Sequence, residues 1–167
     1  MLLRMILVGV GLCWSLQAAA ETASPAVSDM PEQVRVFRVL DGDRLLVRTR
    51  AHSLRVQLAG IDAPELDQPG GVGSQKLLEK MVTRKRVVIE AVGENTVGEP
   101  LVKMHWATHD INADMVRAGA AWVSPDGDAD LRALQAEAQA KGLGIWAKDM
   151  PPAIPPWEWR TEHETSD

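Results

Sequence analysis

Four carboxylates stand in two short runs of this chain, Asp41-Gly42-Asp43 and Asp62-Ala63-Pro64-Glu65. Side chains of this type can ligate a hard cation through oxygen, or take a proton from a water molecule. Asp-Gly-Asp between apolar runs is also an ordinary turn sequence, and taken alone the turn is its commoner meaning. Other chemistries are less well supplied. His105 and His109 are four residues apart, but in a strand-to-turn region rather than on one helix face, and His52 and His163 share no ligand spacing with them. The basic run Arg84-Lys85-Arg86 reads first as a solvated helix-to-strand junction, and second as a phosphate contact. Cys13 is the sole cysteine, so no disulfide framework, Cys-ligated zinc or Cys nucleophile is available beyond it.

The compartment follows from the first residues. Arg4, the apolar run Met5 to Leu12, and the small residues Ala18-Ala19-Ala20 have the layout of a signal peptide over residues 1–20, cleaved before Glu21. The apolar run is shorter than the ~20 residues of a membrane span, so a periplasmic or secreted protein with no stable span is expected. Without Arg4 the chain carries 17 basic and 23 acidic residues, a net charge of −6. Residues 31–90 are net +3 and residues 91–167 net −7, so only the first half can present a basic face to nucleic acid.

The elements that must hold the carboxylates can be read from periodicity. Residues 21–32 are small and polar, a flexible leader. Gln33 to Leu40, Leu45 to Thr49 and Ser53 to Gly60 alternate as three strands of a meander, with Asp41-Gly42-Asp43 turning between the first two. Leu77, Leu78, Met81 and Val82 fall at helical spacing, predicting a helix over 73–83. Residues 86–92 and 101–107 read as a fourth and fifth strand around a polar loop. Ile111 starts a short helix ending near Gly119, and Asp128 caps another that Gly142 stops. Four prolines in residues 150–156 predict the end of regular structure, leaving residues 149–167 as a tail in which Trp157 and Trp159 either pack on the domain or bind a protein partner. Trp106, Trp122 and Trp146 are expected in the core. Five strands with about three interleaved helices make an α+β, mainly β protein, a five-stranded Greek-key barrel of the OB type over residues 33–148.

At this point a resemblance becomes specific. Asp41-Gly42-Asp43, Leu58-Ala59-Gly60-Ile61-Asp62-Ala63-Pro64-Glu65, Ile111-Asn112-Ala113-Asp114-Met115-Val116-Arg117-Ala118-Gly119 and Gly144-Ile145-Trp146 are similar to motifs of the staphylococcal nuclease (thermonuclease) family. The resemblance implies Ca²⁺-assisted hydrolysis of DNA or RNA phosphodiesters. It implies Asp43 and Asp62, with Asp41 nearby, as metal carboxylates, and Glu65 as the group that orients or deprotonates the attacking water. It also implies two arginines on the scissile phosphate, and here the sequence departs. The first position, eight residues before the motif Glu, is Gln57; the second, counted back from Asn112, is Glu99. Arg55 lies two residues before Gln57 on the same strand face and is a candidate substitute, with Lys103 the basic residue nearest the second slot. Arg44 replaces a threonine usual in the family; with Arg84, Lys85 and Lys103 it completes the candidates for weak nucleic-acid contact.

Two classes of function are therefore expected. One is an exported nuclease, weak or impaired because its phosphate clamp is missing. The other is a non-catalytic module on the same barrel that binds nucleic acid, a phosphate ligand or protein in the cell envelope, or simply acts as a scaffold there.

Overall fold

The computed structural model describes residues 32–49 and 52–164. Residues 1–20, where a signal peptide is expected, and with them Cys13, lie outside the described residues. Along the chain run β1 (Glu32–Val39), β2 (Arg44–Arg48), β3 (Ser53–Leu58), β4 (Ile61–Asp62), α1 (Gly71–Val82), β5 (Arg86–Glu94), β6 (Pro100–Trp106), β7 (His109–Asp110), α2 (Ile111–Arg117), β8 (Trp122–Val123), α3 (Ala129–Lys141), a 3₁₀ turn (Gly144–Trp146) and α4 (Pro156–Glu164).

The alternation read in the sequence is the one the strands use. Leu45 and Val47 in β2, Val56 and Leu58 in β3, Val87 and Ile89 in β5, and Val102 and Met104 in β6 are all fully buried. Each pair is two residues apart and so faces one side of its strand. Antiparallel pairings join β3 to β2, β2 to β1, β1 to β5 and β5 to β6. A parallel pairing of β3 with β6, Gln57 opposite Leu101 and Leu58 opposite Val102, closes the five strands into a barrel. Closure leaves no edge between these strands for another chain to extend. α1 lays Leu78 and Val82 on the barrel core, and α2 adds Met115 and Val116. α3 begins and ends at the residues expected to cap and stop it, and Asp110 caps α2 in the same way. Asp110 Oδ1 accepts from Ala113 N at 3.0 Å, Asp128 Oδ1 accepts from Leu131 N at 2.9 Å, and Gly142 ends α3 with a φ of 62°.

Asn112 is the joint between these layers. It is buried; its Oδ1 accepts from Met104 N at 3.0 Å, and its Nδ2 donates to Ala59 O at 2.9 Å and Val102 O at 3.0 Å. One amide thereby holds the end of β3, the middle of β6 and the start of α2 together.

Three features differ from the sequence reading. Ile61 and Asp62 do leave the barrel sheet, but they pair with Val123 and Trp122 in a separate two-stranded ribbon. Trp106, Trp122 and Trp146 are half-buried rather than core, with Lys85 Nζ 3.7 Å from the ring centre of Trp106. Their rings are too large to vanish into a small barrel and cover its ends instead. Most important, the tail is not irregular throughout. After the proline strap, Pro156 opens a fourth helix, where its missing N–H has no helical partner to lose. Trp157 packs edge-on to Trp122 with ring centres 6.1 Å apart, Trp159 stacks on His163 one turn on at 3.9 Å, and Gln68 Nε2 donates to Ile154 O at 2.7 Å. The tail thus folds back on the loop that follows Asp62.

Candidate active site

The Asp41–Asp43 turn is built by its own side chain. Asp41 Oδ1 accepts from Asp43 N at 3.1 Å and Arg44 N at 2.7 Å. Gly42 is required by what lies above it: a Cβ there would stand 2.5 Å from Ala63 Cβ and 2.7 Å from Ser74 Cβ. The turn therefore presses against the residue after Asp62 and the first turns of α1. Leu58 N donates to Asp43 O at 2.8 Å, tying the turn to β3. The Glu65 loop is fixed in the same way. A Cβ on Gly71 would fall 1.8 Å from Glu65 O, and Glu65 N donates to Gln68 Oε1 at 3.1 Å. Gly42 thus lets the first carboxylate run pack on the second, about twenty residues on, and Gly71 lets the Glu65 loop pack on the start of α1.

Asp41, Asp43 and Asp62 are buried. Asp43 Oδ2 accepts from Gln57 Nε2 at 2.8 Å. Burial pushes the Asp43 carboxyl well above the usual carboxylate range, and the neighbouring charges of Asp41 and Asp62 push it the same way, against the hydrogen bond from Gln57. A buried carboxylate that accepts from a neutral amide and faces two others is short of positive charge.

The positions of the two expected arginines do come together. Gln57 Oε1 accepts from Asn95 Nδ2 at 2.9 Å, and the same Nδ2 lies 3.1 Å from Glu99 Oε2. Asn95, in the turn between β5 and β6, is the bridge, and sequence reasoning had not singled it out. Arg55 is spent on Glu99, at 3.2 Å from Oε1, rather than on Asp43, Asp62 or Glu65.

Two other arginines reach the carboxylates. Arg44 Nε bonds Asp41 Oδ2 at 2.7 Å, and its Nη2 bonds Glu65 Oε2 at 3.1 Å. Burial would lower the Arg44 pKa, but Asp41, Asp43 and Glu65 outweigh it and raise it. Arg160, from α4, bonds Glu65 Oε1 through Nη1 at 2.7 Å and Asp62 Oδ2 through Nη2 at 2.7 Å, with Nη1 also 3.2 Å from Asp62 Oδ1. The hydrogen bonds to Asp62, then to Glu65, hold its guanidinium above its ordinary value despite partial burial. Arg160 was not among the residues expected from sequence. It is separated from Glu65 by 95 positions, and no local pattern links them.

The remaining candidates stand apart. Lys85 sits on Trp106, and Arg84 is exposed at a φ of 61°. Lys103 lies opposite Glu90 in the β5–β6 pairing and lines a neighbouring cavity with Asp110, Asn112 and Asp130. His109 Nδ1 is 3.0 Å from Asp114 Oδ2, and its ring stacks on Trp106. Beside Asp62 and Gln57, a cleft of about 310 Å³ opens between Asn95, Thr96 and Ser124. Among the described residues, no group of three or more His, Cys, Asp or Glu side chains is arranged to hold a metal ion. The donor chemistry of Asp43 and Asp62, buried oxygen ligands with excess negative charge, nonetheless suits a hard cation such as Ca²⁺.

Residues 55–148 match the family model described as staphylococcal nuclease homologue. An uncharacterized endonuclease of Haemophilus influenzae is 36% identical over 146 residues, covering 86% of this chain and 81% of that protein. Protein ParB of Escherichia coli is 33% identical over 158 residues, covering 87% of each. A micrococcal nuclease of Shigella flexneri is 32% identical over 149 residues, covering 81% of this chain and 83% of its own length. With the closed barrel, the carboxylates gathered against its mouth and these relatives, the chain belongs to the staphylococcal nuclease family.

Proposed function

We propose that this protein is an exported, Ca²⁺-assisted hydrolase of nucleic-acid phosphodiesters, slower than relatives with arginine at both clamp positions. Nucleic-acid hydrolysis is the chemistry of the family. The observation that carries the reading is that Asp62 and Glu65 share one guanidinium, 2.7 Å from each, with Asp43 packed beside Asp62. A cation ligand and a base must lie this close to act on one phosphate.

Asp43 and Asp62 would hold the Ca²⁺, whose charge would polarise a phosphate oxygen. Glu65 would orient the attacking water and receive its proton. Gln57 donates to Asp43 and so keeps one ligand in place, but a neutral amide adds no charge against the developing phosphate oxyanion. Glu99 in the second slot repels it. Loss of an arginine from a phosphoryl transition state lowers rate by on the order of 10³–10⁵-fold, which motivates the slower turnover.

Strand cleavage of a fluorescent oligonucleotide in Ca²⁺, compared with Glu65→Gln, tests the reading. Activity that is lost in the variant supports it; a wild-type protein without cleavage favours the binding module instead. The location rests on residues 1–20. Mass spectrometry of protein from the periplasm or medium should give a chain starting at Glu21, and retention of Met1 there would refute export by cleavage.

A further inference from the structure

Arg160 reaches from α4 to both Asp62 and Glu65. We propose that Arg160 is a phosphate-contacting residue of this site, delivered by the C-terminal helix and working with Arg44 in place of the arginines missing at Gln57 and Glu99. The proposal rests on the phosphodiester-hydrolase reading and extends it to the tail.

Three observations carry it. The first is charge. Asp41, Asp43, Asp62 and Glu65 would together repel a phosphodiester, and the guanidiniums bonded to three of them, Asp41, Asp62 and Glu65, are those of Arg44 and Arg160. They take different oxygens of Glu65, Arg44 on Oε2 and Arg160 on Oε1, so they flank the carboxylate that would face the attacking water. The second is donor count. A guanidinium has five N–H groups. Arg160 uses both on Nη1 and one on Nη2, which leaves Nε–H and the second Nη2–H with no acceptor among the described residues. Its side chain is 39% exposed, so a phosphate oxygen can reach that edge. The third is anchorage. α4 is held by Trp157 on Trp122 and by the Gln68 bond to Ile154, and the strap before it is proline-rich. The helix is therefore fixed to the very loop that carries Asp62 and Glu65, as a donor that must meet a transition state should be.

The test measures two quantities on wild type, Arg160→Ala and Arg160→Lys, each checked for an unchanged thermal unfolding profile. One is binding of a fluorescein-labelled single-stranded oligodeoxynucleotide in EDTA across a salt series. The other is kcat and KM for its cleavage in Ca²⁺. Loss of one phosphate contact should reduce the slope of log K against log salt by about 0.7 in Arg160→Ala. kcat should fall by on the order of 10²–10³-fold, the effect of removing one oxyanion donor. Arg160→Lys keeps the charge and loses the fork, so the slope should return while kcat stays at least about tenfold down. If Arg160→Ala does not fold, the Lys variant decides by that split. Unchanged slope and kcat in the folded variants overturn the assignment. So does a variant faster than wild type, which would make α4 a plug on the carboxylates. A wild-type protein that binds but never cleaves, with the slope still reduced in Arg160→Ala, overturns the hydrolase reading and leaves Arg160 as a phosphate contact.

Discussion

Restoring the clamp is the sharpest perturbation the site offers. In Gln57→Arg, a guanidinium would replace an amide whose Nε2 is already 2.8 Å from Asp43 Oδ2. In Glu99→Arg, a positive group would replace the carboxylate that Asn95 couples to position 57. The structural losses are small. The Arg55–Glu99 pair is half-exposed on the Arg side and contributes about 0.2–1 kcal/mol, and the Asn95 bonds about 1 kcal/mol each. The catalytic gain should be larger. A full arginine contact is worth on the order of 10³–10⁵ in rate. Under the proposal for Arg160, part of that would already come from Arg44 and Arg160, and part of the new charge at position 57 would be absorbed by Asp43. We expect the double variant to raise kcat about 10²-fold, or about 2.7 kcal/mol of transition-state stabilisation. Initial rates on a fluorescent single-stranded oligonucleotide in saturating Ca²⁺ read this directly. A double variant that unfolds at the same temperature as wild type but turns over no faster would refute the reasoning. Positions 57 and 99 would then not face the phosphate.

Other perturbations test the scaffold. The Asp43 carboxyl is raised in the folded state, so its contribution to stability is complete below the ordinary carboxylate range and is lost as pH rises through the folded value. In EDTA, Asp43→Asn should therefore melt above wild type at neutral pH, with the gap closing toward pH 4; Ca²⁺ should raise wild type alone, and a gap that is flat with pH would contradict the burial argument. Asn112→Ala removes the amide's bonds to Met104 N–H, Ala59 C=O and Val102 C=O, at about 1 kcal/mol each, and should lower the urea midpoint accordingly. Gly42→Ala must displace Ala63 or Ser74, costing about 1–3 kcal/mol and weakening Ca²⁺ binding by calorimetry more than a distant mutation of equal stability cost. Gln68→Ala loses its bonds to Ile154 O and Glu65 N and should release the proline strap, seen as faster proteolysis between residues 148 and 156, at a stability cost of about 2 kcal/mol.

What could be read beforehand divides by distance along the chain. Leu45 and Val47, or Val56 and Leu58, announce their strands because burial repeats every second residue. Asp128 and Gly142 announce helix ends because capping is local chemistry. The carboxylate runs stood out through their motif, and counting from the motif Glu and from Asn112 pointed to Gln57 and Glu99, whose side chains Asn95 joins in space. Arg160 was not legible. Its partners lie nearly a hundred residues away, and four prolines before it suggest an end to regular structure. The signal that was present is short: a proline at the first position of a helix, an acidic residue in its first turn at Glu158, and Trp159 one turn before His163. The β4–β8 ribbon escaped for a related reason, since two residues are too few to show a period.

The bonds from Arg160 to Asp62 and Glu65 span 98 and 95 positions, from near the chain's end back into its first half. Every strand of the barrel is synthesised before the residue that completes its carboxylate cluster. During synthesis, domains generally fold from the N-terminal side as chain emerges. The barrel can therefore close around a site whose last cation is still unmade. A chain broken or stalled in the proline strap would hold every barrel strand and lack the guanidinium on Asp62. The cation that Asp62 and Glu65 share is thus made later than every strand that positions those carboxylates.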